Sequence, residues 1–206
     1  MKVLKLTSFK MWVNFSFIAL LFLTACGSAG SNNNTQPEND VKAESKVVPK
    51  ASKREKPKMD LQAAIISGNL EIVKQHIEAG TDVNVKDQMS GSTPLITAAT
   101  FGKTAIAKTL IDANADLDIK NNEGSTALHA AAFFCQIEIV QMLIDAGAEK
   151  SIKNKHGATP RESVIGPFAE IKPIYEMMQQ QLEPLGLKLD MNEVEMTRPV
   201  IAMMLQ

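Results

Sequence analysis

Aromatic side chains are scarce in this chain of 206 residues: they make up 5%, with one Trp, one Tyr and eight Phe. Cysteine occurs only at Cys26 and Cys135, too few for a disulfide framework. Of the three histidines, His76 and His156 are isolated, with no Cys or carboxylate at metal-ligand spacing, so the sequence offers no zinc site. Phosphate loops, HExxH, GxSxG and dinucleotide fingerprints are missing too, which leaves no catalytic centre and no cofactor site to nominate. Long apolar runs are equally rare. The run from Met11 to Ala25 is interrupted by Asn14 and Ser16 and falls short of the about 20 residues that span a bilayer.

That short run has the layout of a secretory signal, because Lys2, Lys5 and Lys10 precede it and Gly, Ser and Asn follow it. Leu23-Thr24-Ala25-Cys26 resembles a bacterial lipobox, in which a peptidase cuts before a cysteine whose sulfur carries a diacylglyceryl group. The resemblance implies a signal peptide over residues 1–25, a mature chain beginning at Cys26 and a membrane anchor there, since two or more acyl chains hold stably where one does not. Gly27 is not the Asp that resembles an inner-membrane retention signal, so the expected address is the outer membrane, facing the periplasm.

Residues 26–58 lack hydrophobic periodicity and read as a flexible linker, with a reach on the order of 30 Å. Seven basic residues stand among residues 42–58 against Glu44 and Glu55, whereas residues 59–206 carry a net charge of −7. An acidic domain on a basic tether argues against nucleic acid as a partner.

From residue 59 the chain repeats itself. Leu61, Leu95 and Leu128 fall in step at spacings of 34 and 33 residues, with the extra residue in the loop DQMSGS. Thr93-Pro94-Leu95 and Thr126-Ala127-Leu128-His129 read as helix starts, and Ala79-Gly80 and Ala146-Gly147 as helix stops. With this period the chain resembles the ankyrin repeat family over about residues 59–166, the second copy departing with Ile96 for His and Asn114 for the cap Gly. The resemblance implies an all-α solenoid of helix-turn-helix units with short hairpin loops, about three repeats plus a C-terminal cap at GATPRESV. Residues 167–206 read as a C-terminal helical extension: one helix after Pro173, stopping near Gly186, and a last short helix starting near Pro199.

The resemblance also directs attention to a surface. In such arrays the first helices and hairpin tips line a concave groove, which here implies Ile66-Ser67, Thr100-Phe101 and Phe133-Phe134, three of the four Phe outside the signal. Aromatic anchors are what binding hot spots use. The alternative is that Phe101 and one of Phe133 and Phe134 pack against a neighbouring unit or the C-terminal tail. A polar rim would come from Lys86, Asp87, Gln88 and Met89, then Lys120, Asn121, Asn122 and Glu123, then Lys153, Asn154, Lys155 and His156. His129 stands where the family has a structural His, and Cys135 replaces the glycines at 68 and 102. The expectation is a lipid-anchored, non-catalytic module that binds an unidentified protein. Its alternatives are an envelope-stress or redox protein using Cys135, and an architectural protein whose Met191, Met196, Met203 and Met204 fill the groove or drive self-association.

Overall fold

The computed structural model describes residues 56–206, so Cys26, the signal peptide and most of the 26–58 linker lie outside the described residues. Within them all regular structure is helical. Three pairs come first: α1 (Leu61–Ile66) with α2 (Leu70–Glu78), α3 (Pro94–Thr100) with α4 (Thr104–Asp112), and α5 (Ala127–Phe133) with α6 (Ile137–Asp145).

Local chemistry sets where these helices start. The Asp60 carboxylate accepts from the Ala63 amide, Asn69 Oδ1 from Ile72 and Thr93 Oγ1 from Ile96, each satisfying an amide that has no partner inside its helix. All six ends share one device. The residue after each C-cap is left-handed, at φ +74° for Gly68, +72° for Gly80, +61° for Gly102, +59° for Asn114, +57° for Cys135 and +86° for Gly147. Paired amide bonds, such as Thr81 N–H to His76 and Gly80 N–H to Ile77, then satisfy the last carbonyls.

Packing follows the same division of labour. The first helices α1, α3 and α5 stack on one another, and so do α2, α4 and α6. α3 is buried from Pro94 to Ala99 and α5 from Ala127 to Ala132, and their alanines let the backbones approach closely. The second helices bury one face each: Val73 of α2, then Ile106, Ala107 and Leu110, then Ile139, Val140 and Leu143. No unit could bury these faces alone.

The fourth unit begins and is cut short. Thr159 and Glu162 cap each other, the Thr159 amide donating to Glu162 Oε2 and the Glu162 amide to Thr159 Oγ1, but only a turn follows. The chain leaves through Gly166, at φ +108°, into α7 (Phe168–Leu182), a 3₁₀ turn (Glu183–Leu185) and α8 (Met191–Met204). α8 packs on α6 and α5. It runs parallel to α6, since Cys135 at the start of α6 faces the Val194 carbonyl and Lys150 beyond its end donates to the Gln206 carbonyl. α8 therefore takes the place of a fourth second helix.

Both extension helices are longer than the sequence suggested. Pro173 and Pro199 lie inside them, where a helix start had been read. Each proline removes one amide donor, but both prolines are exposed, and so are Ala169 and Glu195, the residues whose carbonyls lose that donor.

Candidate interaction surface

The hairpin tips are built on three equivalent side chains. Asp87 accepts from the amides of Met89, Ser90 and Ser92, Asn121 from Glu123 and Ser125, and Asn154 from His156 and Ala158. Burial works against the Asp87 charge, yet the bonds from Ser90, Ser92 and Met89 outweigh it and hold its carboxyl below the ordinary value.

Each tip is then laced to the next. Lys86 Nζ donates to the Lys120 carbonyl at 2.6 Å, and Lys120 Nζ to the Lys153 carbonyl at 3.3 Å. Asn122 donates through its amide to Ser90 and through Nδ2 to Met89, while the Lys155 amide donates to Glu123. His156 Nε2 lies 3.5 Å from the Glu123 carboxylate. A Cβ on Gly124 would stand 2.9 Å from the Lys155 nitrogen, so the third tip sits directly against the second. Gln88, Asn122, Lys155 and His156 remain exposed on this edge, and Met89 is 81% exposed.

At the ends of the first helices, Ile66, Thr100 and Phe101 are half-buried, Thr100 returning its hydroxyl to the Ile96 carbonyl. The third unit differs. Phe134 is 6% exposed and meets Phe133 edge-on at 5.1 Å, and Phe133 stacks on Tyr175 of α7 at 4.5 Å. The Tyr175 hydroxyl donates to the Phe133 carbonyl at 2.7 Å and accepts from Arg198 Nη1 at 3.0 Å. The structure thus gathers Phe133, Phe134, Tyr175 and Arg198 into one cluster beneath the extension and leaves Phe101 at the matching place one unit earlier. The sequence alone assigns no task to Tyr175 or Arg198. The available signals were that Tyr175 is the only Tyr in the chain and that Arg198 stands among apolar residues in TRPVIAMM.

His129 and Cys135 do not form a reactive pair. His129 Nε2 donates to the Ala158 carbonyl in the next hairpin, which leaves Nδ1 to accept from the Thr126 amide and hydroxyl. Burial pushes the His129 pKa below its ordinary value, against the Ala158 bond, and Lys120 lowers it further. Burial likewise pushes the Cys135 thiol up to about 11, despite Arg198 and Tyr175, so it stays protonated near neutral pH and is a poor nucleophile. Among the described residues no three His, Cys, Asp or Glu side chains are placed to hold a metal, and no helix is long and apolar enough to cross a membrane.

Residues 61–154 match the family described as ankyrin repeats, in three copies. Over 63 residues the chain is 42% identical to protein phosphatase 1 regulatory subunit 27 of Homo sapiens, and equally to that of Mus musculus. These alignments cover 31% of this chain and 40% of the relatives, so the chain spans about two fifths of their length. Among solved structures it is similar to the ankyrin repeat domain of Bcl-3, a member of the IkappaB protein family, at 31% identity and a TM-score of 0.49, covering 50% of this chain and 45% of that one.

Proposed function

We propose that this chain, whose residues 61–154 are three ankyrin repeats, is a non-catalytic module that presents its hairpin tips and the Phe101 edge to a protein partner. A lipid on Cys26 tethers it to the bacterial envelope, facing the periplasm, as the Leu23-Thr24-Ala25-Cys26 pattern after a short apolar run supports. The observation that carries the binding reading is the lacing of the tips by Lys86, Lys120, Asn122 and Lys155. A surface already fixed in one shape loses little entropy on binding, so exposed Gln88, Met89, Asn122 and His156 act as ready contacts. The aromatic anchor is Phe101, because Phe133 and Phe134 are already engaged with Tyr175 and each other. The named relatives are regulatory subunits, in keeping with a protein that acts by binding another.

Photo-crosslinking in intact cells tests this. A photoreactive residue at Gln88, Asn122 or Phe101 should trap one discrete protein, while the same residue at Gln75, Lys108 or Gln141, on the exposed sides of α2, α4 and α6, should not. Capture from the second set alone would sink the proposed surface. Cys26→Ser tests the anchor: a processed chain that still sediments with membranes would show that no lipid on Cys26 is needed.

A further inference from the structure

Among the described residues α8 is the last helix packed on the stack, and the side of α8 turned away from the core is apolar. Val194, Arg198, Ile201 and Leu205 face inward and are buried. On the opposite side Met196, Val200 and Met203 recur at i, i+4 and i+7, exposed by 70%, 39% and 61%, with exposed Pro199 beside them. An apolar outer face on a stacked helix calls for a cover, as the faces between neighbouring units of a solenoid do. Beside the stripe lies an open cavity of about 490 Å³ whose lining includes Arg161, Ile165, Glu195 and Arg198. Arg161 donates through Nε to the Ala202 carbonyl, yet among the described residues neither arginine is ion-paired and neither is the exposed Glu195.

We infer that a second copy of this chain covers this end, α8 packing against α8 about a two-fold axis. A two-fold interface presents the same patch from both sides, so the patch must complement itself. This one does, because it holds unpaired charge of both signs beside an apolar stripe. A partner of one charge sign would leave the other sign buried and unmatched. With the helices antiparallel and crossing near Val200, the middle of the stripe, Glu195 of one copy stands level with residue 205 of the other. Helical carbonyls point toward the C-terminus, so the bond from Arg161 to the Ala202 carbonyl places that guanidinium near the same level. The pair Glu195 to Arg161 then forms twice. None of these residues belongs to the hairpin tips, so the inference stands independently of the partner surface proposed above.

Disulfide trapping in cells producing the whole chain is the test. Val200→Cys is conservative at an outward position, and Lys188→Cys supplies an exposed control off the stripe. Under mild oxidation Val200→Cys should give a product of twice the chain mass, several-fold above the control. Adding Glu195→Arg, which replaces two attractive pairs by two repulsive ones, should cut that product about tenfold. Co-producing a Glu195→Arg chain with an Arg161→Glu chain, both carrying Val200→Cys, should restore it. A Val200→Cys product no greater than the control, a product containing a different protein, or indifference to Glu195→Arg would each overturn the inference.

Discussion

Tyr175 is the one buried side chain of α7, so its removal should release that helix and leave the repeats folded. Tyr175→Phe deletes a hydroxyl that donates to the Phe133 carbonyl and accepts from Arg198. Leaving those two groups without a partner should cost about 1–3 kcal/mol. Tyr175→Ala also removes the ring stacked on Phe133 at 4.5 Å, and truncation of a buried aromatic costs roughly 3–5 kcal/mol. Because the other α7 side chains are only half-buried or exposed, the loss should appear as local opening. Hydrogen exchange of the α7 amides in Tyr175→Ala should therefore accelerate by roughly 10²- to 10⁴-fold, with Tyr175→Phe at the lower end or below it. Amides of α4, two helices away in the stack, should keep their protection. If α4 and α7 lose protection together, Tyr175 is part of the global core and the reasoning fails. It fails equally if α7 is unaffected by Tyr175→Ala.

Asn114→Gly replaces a strained left-handed residue by the one used at the matching ends Gly80 and Gly147, and should stabilise by a few tenths to about 1 kcal/mol in urea unfolding. A loss of stability would show that the Asn114 side chain contributes more than its backbone strain costs. His129 should make stability fall as pH drops through its ordinary value of 6.5, because its folded pKa is lowered and the unfolded chain binds more protons there. Urea unfolding at pH 7.5 and pH 5.5 should thus differ more for the unsubstituted chain than for His129→Gln, and equal differences would reject the assignment.

The repeats were legible because stacking imposes one period on side chains, caps and turns alike, and each signal is local. Thr93-Pro94 marks a helix start and Ala79-Gly80 a stop wherever they occur. The extension was only half legible. Pro173 and Pro199 look like helix starts, yet α7 and α8 run through them on sides where Ala169 and Glu195, four residues back, are exposed, a property of the finished packing. The candidate groove split for the same reason. Phe101 and Phe134 occupy equivalent places, as the C-caps of α3 and α5, and nothing near either tells that Phe133 beside Phe134 will be covered by Tyr175, 42 residues beyond Phe133. At the tips, Asp87, Asn121 and Asn154 announce turns by their chemistry, whereas the Lys86 to Lys120 to Lys153 ladder exists only once the units are stacked.

Cys135 shows how far the last joint departs from the others. A residue with a Cβ at φ +57° bears a strain of roughly 1–2 kcal/mol, which Gly68 and Gly102 avoid. What comes over each joint differs. A Cβ at Gly102 would lie 2.6 Å from Gln136 Oε1, and Gln136 would have to move. Over Cys135 it is α8 that arrives, and the thiol lies 3.8 Å from the Val194 carbonyl with Tyr175 and Arg198 close by. The sulfur therefore occupies space between unlike elements, and its contacts offset strain that an open joint would leave uncompensated. A side chain is admissible at this joint because the repeat pattern stops there, and the thiol's raised pKa follows from the burial that makes it useful as packing.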